Sequence, residues 1–421
     1  MGITMFVLYI VTGVILALYQ NQQQPQPRER DYFYVGAYYV FGIWISIAIV
    51  GIIDTLRTYS KSESMIAFGS IALFTIAVPF NMVRMNFHQN NRAGNMVAWD
   101  YSYNILQSCP PNAILFTNGD NDTFPVWYLQ DVEGVRQDVR VVNLSLVNTE
   151  WYIKQLKNNT PHGAPKVPID FSDEEIDQLQ PIRWETREMT IPISNDVYKK
   201  YNIENALMSG TFDSSKKEGE IKFKLEPTME AQGIKAIRVQ DIMVHEIVRA
   251  NKWQRPVIFA VTCSPDSKIG LDDYLWYQGL GWELKPQKNN GEDEGIDTGV
   301  LEKQLMSEVT PSTNQQYGYQ YRNLNDPNVF YDENQKRMIQ NYRTAFLRLA
   351  LYYSQSSQND KANASLARME KLFPRNVVPM DWRLYPELRS FYRRLNNSAM
   401  ADIYKNDLEK ECLRQIENNQ I

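Results

Sequence analysis

Cysteine and histidine are scarce in this chain, three of each in 421 residues. Cys109, Cys263 and Cys412 are widely spaced. They match neither a zinc pattern nor a compact disulfide framework, so buried free thiols are expected. His88, His162 and His245 lie near no cysteine, serine or acidic motif of known spacing, and no catalytic triad is readable. Excess positive charge is also missing. The formal net charge is −5 and the pI about 5.5, which argues against a nucleic-acid partner. Glycine-rich phosphate loops are absent: Gly119 has neither the Walker lysine nor a second glycine beside it. An EF-hand is excluded because no glycine follows the third ligand position and no glutamate closes the loop.

What is present is uneven. Hydrophobic residues make up 43% of the chain, and three amino-terminal runs, Ile3 to Leu18, Val35 to Ile53 and Met65 to Val83, read as membrane helices. The second is free of charge and long enough to cross a hydrocarbon core of about 30 Å. The third holds Pro79 and Asn81, which membrane helices tolerate when neighbours satisfy the freed polar groups. The first lacks the basic leader and small-residue cleavage site of a signal peptide. Basic residues follow all three runs (Arg28 and Arg30, Arg57 and Lys61, Arg84 and Arg92), so their count leaves the orientation open.

After Arg84 the composition changes to an ordinary polar and apolar mixture. The expected division is a membrane part at 1–87, an α/β domain at 88–286, a loop or linker at 287–333 and a helical tail at 334–421. Ala113 to Asn143 packs an apolar strand, a polar loop, an aromatic helix and a second apolar strand into the length of a βαβ unit. Asn148-Thr149-Glu150 can cap a helix through Lys157, and Ser172 to Glu175 reads as a capping box. Met189 to Ile193 and Glu220 to Leu225 alternate as half-buried strands, with turns at Ser209-Gly210 and Asp213 to Gly219, and are expected as an antiparallel addition to the sheet. Asp241 to Ala250 reads as a helix and Pro256 to Val261 as a fully buried strand running into Thr262-Cys263-Ser264-Pro265. In Gly270 to Pro286 the aspartates Asp272 and Asp273 are expected to cap a helix that Gly279 to Gly281 ends. The acidic stretch Gln287 to Asp297 reads as a mobile loop. Beyond Asn334, Tyr342, Phe346, Leu349, Ala350 and Tyr353 fall at helical spacing. The helices expected at Lys361 to Phe373, Pro386 to Leu395 and Ala399 to Ile416 resemble hairpins of the tetratricopeptide (TPR) type. The fold class expected is therefore α/β: three transmembrane helices, a Rossmann-like mixed α/β domain and a TPR-like α-helical tail.

Open α/β sheets place ligands at the carboxyl ends of their strands, which directs attention to Asn118, Asp120, Asn121 and Asp122. Three uses fit this loop. Asp120 and Asp122 form part of a hard oxygen set for a divalent metal; the four residues together can bind a ligand without metal; and Asp122 or Thr123 can cap a helix over Phe124 to Val132 with Pro125 in its first turn. Trp127, Tyr128 and Trp151 suit either a sugar-stacking or lipid-facing surface or a place in the core, and helical spacing favours the core. Arg136 can pair with Asp138 to order a turn or contact a ligand, and Arg140 can reach an anion.

Phe116 to Tyr152, Gly270 to Pro286 and Arg30 to Trp44 (RDYFYVGAYYVFGIW) closely resemble the carboxyl-terminal half of the DUF2723 family of Bacteroidetes, large membrane proteins similar to protein O-mannosyltransferases. The resemblance implies a GT-C type glycosyltransferase in the cytoplasmic (inner) membrane, multi-pass, with a large periplasmic domain. It further implies a lipid-linked sugar donor (a lipid-phosphate sugar), a protein acceptor and contact with membrane lipid. The family's DCGEF-like loop with its presumed catalytic acid, and the GHPPG-like motif after it, have no counterpart here; Asp54 and Glu63 do not reproduce them. The chain is therefore expected to be a fragment that begins in the last membrane helices, with an acceptor-side or scaffolding role and without a catalytic residue or cofactor of its own. Its ligand contacts are expected at Asn118, Asp120, Asn121, Asp122, Trp127 and Arg136. The alternatives are a non-catalytic envelope interaction module acting on a protein partner through the helical tail, and a metal-dependent nucleotide-sugar transferase using Asp120-Asn121-Asp122 as a DxD motif.

Overall fold

The computed structural model describes residues 2–21, 31–59, 62–203, 212–213, 215–216, 218–231, 233–289 and 295–417. Arg28, Arg30, Lys61, the Ser209-Gly210 turn and the middle of the Gln287 to Asp297 loop lie outside them. Two compact units are present, Met1–Ala93 and Gly94–Ile421.

The first unit consists of α1 (Gly2–Gln20), α2 (Tyr32–Tyr59) and α3 (Glu63–Asn90), each long and apolar enough to cross a membrane. Small residues bring α1 and α2 together: a Cβ on Gly13 would sit 3.3 Å from the Cβ of Ala37, and one on Gly36 would sit 3.3 Å from the Cβ of Thr12. Close backbone approach of this kind replaces the hydrophobic drive that lipid removes. Tyr9 then lies 5.3 Å from Trp44. Helix α3 absorbs Pro79 by widening to a π turn over Ile76–Phe80, where the missing proline N–H costs least.

The second unit is built on a five-stranded mixed sheet. Its elements in chain order are α4 (Val97–Gln107), β1 (Ile114–Thr117), α5 (Asp120–Asp131), β2 (Arg140–Asn143), α6 (Glu150–Asn158), α7 (Asp173–Asp177), β3 (Ile182–Arg183), β4 (Arg187–Ser194), α8 (Asn195–Tyr201), β5 (Phe212–Asp213), β6 (Glu218–Leu225), β7 (Met229–Ala231), β8 (Ile234–Ile237), α9 (Val239–Asn251), β9 (Val257–Ala260), β10 (Leu275–Tyr277) and β11 (Gly281–Leu284). Helices α10 (Thr298–Met306), α11 (Glu333–Gln355), α12 (Asn359–Leu372), α13 (Tyr385–Arg394) and α14 (Ser398–Glu417) complete the chain. The main sheet has the order β10-β11-β9-β1-β2. Strands β2, β1 and β9 run parallel, whereas β11 and β10 are antiparallel additions. Ile114, Leu115 and Phe116 are fully buried, as expected of a central strand covered on both faces, and Phe116 stacks on Phe259 of β9 at 4.8 Å.

Three expectations need correction. Strands β4 and β6 pair antiparallel over eight residues, but with β5 they form a separate sheet and do not extend the main one. Gly270 to Pro286 is no capped helix: a short 3₁₀ turn at Asp272–Tyr274 leads into the β10–β11 hairpin. The aromatic and branched residues of LWY and GWEL suit strands, and Gly279 at φ +111° turns the chain where a Cβ would strike the Tyr319 hydroxyl. The stretch expected as a linker, 287–333, is also bound to the domain. It contains α10 and a strap along α4 in which Tyr319, Leu324 and Tyr331 are buried.

Asp100, Asn104 and Gln107 share one face of α4 and hold that strap. Asp100 accepts from the backbone N–H of Arg322 at 2.8 Å and pairs with its guanidinium. Asn104 donates to the Gln320 carbonyl and accepts from the Gln320 N–H, both at 2.8 Å. Gln107 accepts from Gln316 N–H at 2.9 Å and donates to the Ser312 and Asn314 carbonyls. Irregular backbone is thereby buried without losing its hydrogen bonds.

The carboxyl end of α4 is closed by Arg136, which is 1% exposed. Its five N–H donors meet the carbonyls of Leu106, Cys109 and Pro110 and both carboxylate oxygens of Asp138. Burial alone would raise the Asp138 carboxyl, but the Arg136 bonds and the Asn112 N–H outweigh it and hold the group below the usual carboxylate range. A depressed carboxylate stabilises the fold above its unfolded pKa, and the gain is lost as pH falls through the folded value. Arg136→Met should therefore cost about 3–5 kcal/mol near neutral pH, with a smaller difference from wild type in acid. Chemical denaturation of the detergent-solubilised chain measures this, and a neutral-pH loss below about 1 kcal/mol, the worth of an exposed pair, would refute the clamp.

Candidate functional site at the carboxyl ends of the parallel strands

Strand β1 ends at Thr117, and the chain turns through Asn118 and Gly119 into α5. Gly119 lies at φ 74° and ψ −167°, a region open essentially to glycine alone. Helix α5 starts at Asp120, earlier than the expected Phe124, so Asp122 and Thr123 sit inside its first turn and neither is its cap. The unexpected start follows from a buried polar knot. Thr123 Oγ1 donates to the Gly119 carbonyl at 2.7 Å, lies 2.7 Å from Thr117 Oγ1 and accepts from Asn143 Nδ2 at 3.0 Å. Asn143 Oδ1 in turn accepts from the Ser145 and Leu146 N–H groups. The ends of β1 and β2 are locked together in this way.

The end of β9 joins from the other side. Thr262 Oγ1 donates to the carboxylate of Asp122, which also accepts from the Asn118 N–H at 3.3 Å, and Asn118 Nδ2 reaches the Thr262 carbonyl at 3.4 Å. The chain passes from β1 to β2 on one side and later crosses back past β1 to place β9 on the other, and in open sheets such a switch point leaves a crevice outside the strand ends where ligands bind. Asp122 is 6% exposed, and burial raises its pKa against the opposing bonds from Thr262 and Asn118.

The predicted site residues therefore separate. Asn118 and Asp122 meet at the crevice, while Asp120 and Asn121 stand exposed on the first turn of α5. Trp127 is half-buried further along α5 and lines a different cavity. Tyr128 and Trp151 are 49% and 55% exposed, so the core assignment fails for both. Arg136 is at the amino end of β1 with every donor used inside the chain, which corrects its assignment as a ligand contact. Thr117, Thr123, Asn143 and Thr262 are site-building residues that sequence reasoning missed. For Thr117, Asn143 and Thr262 the signal was a polar residue at or just beyond the end of a short apolar strand; Thr123, inside α5, carried no such signal.

Asp120 and Asp122 both lie in the first turn of α5, where they offset the positive helix end and make the crevice a poor phosphate site. Exposed carboxylate and amide oxygens suit hydroxyl donors instead. Among the described residues, no three His, Cys, Asp or Glu side chains converge as a metal set. Cys109 and Cys263 are buried free thiols. Burial pushes Cys109 up to about 12 and raises Cys263 as well, so neither is an activated nucleophile.

Comparison with known proteins bears on this same region. The family model described as TMEM260-associated domain 2 matches residues 98–209 and 182–305. The chain is 26% identical over 98 residues to the protein O-mannosyl-transferase tmem260 of Dictyostelium discoideum, covering 23% of this chain and 12% of that protein. It is 30% identical over 79 residues to the protein O-mannosyl-transferase TMEM260 of Mus musculus, covering 19% of this chain and 11% of that protein. These similarities support an O-mannosyltransferase-like family. The three apolar helices support a membrane protein. The matches span about a tenth of the curated relatives, and no solved structure matches the chain.

The buried Asp122 carboxylate gives a pH test. A carboxyl whose folded pKa is raised costs stability above that pKa, and the cost disappears as pH falls below the unfolded value. Asp122→Asn keeps an oxygen for Thr262 and Asn118 without the charge. Its thermal midpoint should equal or exceed wild type at pH 7, with the difference shrinking toward pH 4. A variant less stable than wild type at pH 7 and no better matched in acid would contradict the reading.

Proposed function

We propose that this chain is the membrane-anchored, acceptor-side part of a protein O-mannosyltransferase-like glycosyltransferase of the GT-C type, akin to the DUF2723 proteins, with a lipid-linked sugar as donor. In this reading the α/β unit is Rossmann-like and periplasmic, the helices sit in the inner membrane, and the TPR-like tail braces the domain. The observation that carries it is the polar cluster at the switch point between the ends of β1 and β9. There a rigid threonine and asparagine knot presents Asn118, Asp120 and Asn121 to solvent, beside a family match that spans the same strands. Oxygen-rich, phosphate-averse side chains fit the hydroxyl groups of an acceptor better than a sugar phosphate.

The catalytic carboxylate that such chemistry needs beside the lipid-phosphate sugar is assigned to a different segment of the assembly. The crevice orients the acceptor and holds it against that centre, the kind of positioning that contributes to rate through lost rotational freedom. Asp120→Ala with Asn121→Ala tests this, because both side chains are exposed and neither supports the knot. In the complete membrane assembly, glycan transfer to a serine- or threonine-bearing acceptor should fall at least about tenfold, ~1.4 kcal/mol in transition-state terms, while folding loses no more than the helix-end charge is worth, under about 1 kcal/mol. Transfer at the wild-type rate would remove the crevice from the reaction.

A further inference from the structure

The contrast between two buried arginines points to a second site. Arg136 has a partner for each of its donors. Arg140, the first residue of β2, is 7% exposed, yet its Nε has no hydrogen-bond partner. The hydrogen bond its guanidinium makes is from Nη2 to the Gln155 carbonyl at 3.3 Å, and no carboxylate pairs with it among the described residues. A buried cation without a counter-ion is costly and is retained where something else neutralises it. Burial also draws its pKa down.

Arg140 lines a cavity of about 400 Å³ along the outer edge of the sheet, between α5, α6 and the 161–164 turn. That volume falls within the ~300–1,000 Å³ of small-molecule sites. Aromatic side chains line it: Trp127 stacks on Phe124 at 5.6 Å, and Trp151 meets Tyr152 edge-on at 5.5 Å. The wall also carries polar groups. Asp131 hydrogen-bonds His162 at 2.6 Å, and Gln137 and Gln155 also line the cavity. The two sites touch at Tyr152, whose hydroxyl accepts from the Asn143 N–H at 3.0 Å.

We propose that this cavity binds an anionic pyranose, a sugar ring bearing a carboxylate or a phosphate, with its oxyanion on Arg140 and a ring face against Trp127 and Trp151. A guanidinium with unused donors is matched to an oxyanion. Indole faces take the apolar C–H face of a sugar, and the amide and carboxylate side chains take its hydroxyls. The site is independent of the glycosyl-transfer reading and stands if that reading fails.

The test is a titration of the full chain in detergent, followed by tryptophan fluorescence and thermal midpoint, with glucuronate, glucose 6-phosphate, neutral mannose and inorganic phosphate. Saturable binding of glucuronate or glucose 6-phosphate is expected, and the preferred one of the two identifies the oxyanion. Mannose and phosphate alone should bind at least about tenfold more weakly, ~1.4 kcal/mol. Arg140→Gln should abolish the preference for the charged sugar while matching or exceeding the wild-type midpoint without ligand, since it removes an uncompensated charge. Trp151→Ala, at an exposed position, should weaken binding without unfolding the chain. Mannose or phosphate binding as tightly as the anionic sugars, an absence of saturable binding, or an Arg140→Gln variant that unfolds or melts well below wild type would each overturn the proposal.

Discussion

Asp100, Asn104 and Gln107 recur along α4 at intervals that place them on one face of the helix, and every other layer of the domain leans on what they do. The face is buried against irregular backbone at 312–322, a combination that would be prohibitive if the strap's N–H and carbonyl groups were left without partners. Two amides and a carboxylate satisfy them directly. The strap then covers α4 with Tyr319, Tyr321 and Leu324, and Tyr342 of α11 packs on the same cluster, 5.6 Å from Tyr101 and 5.8 Å from Phe373. The main sheet and the carboxyl-terminal helices thus share one continuous core, and polar specificity supports apolar burial.

The crevice is organised on the same principle at smaller scale. Its buried members, Thr117, Thr123, Asn143 and Asp122, spend their hydrogen bonds on one another, on Thr262 and on the backbone of Asn118, Gly119, Ser145 and Leu146, which leaves the exposed side chains to meet a ligand without rearrangement of the strand ends. A site held by a satisfied network on the ends of rigid strands is preorganised. Arg140 is the departure from this economy. Asp100 is matched by Arg322 and Glu246 by Arg249, and Arg343, buried without a carboxylate among the described residues, places its terminal donors on the carbonyls of Phe373, Val378 and Pro379.

Much of the layout was legible. The βαβ unit from Ala113 to Asn143, the Ser172 capping box and the periodic burial of Tyr342, Phe346, Leu349, Ala350 and Tyr353 follow from local rules, because apolar period and cap chemistry act over a few residues. The failures share a physical cause. The β10–β11 hairpin depends on Gly281 fitting where a Cβ would come within 2.7 Å of Ile258 Cγ2, a contact invisible in its own segment. The 287–333 stretch looked like a linker because its partner groups are on α4, some two hundred residues away. Asp122 looked like an exposed ligand because the hydroxyl that donates to it belongs to Thr262, 140 positions later. Arg136 was half legible: its pairing with Asp138 is local, but the three carbonyls that consume its remaining donors are not.

The distance between Asp100 and Arg322 along the chain, 222 positions, also sets a clock. At translation rates of about 5–20 residues per second, the carboxylate and amides of α4 wait roughly 10–40 s for the segment that completes them. During that interval β1, α5 and β2 can form their local contacts, whereas the aromatic face of α4 is uncovered. The domain is therefore committed to a late closing step during biosynthesis, and the interval before it is when a nascent chain of this design depends most on protection from aggregation.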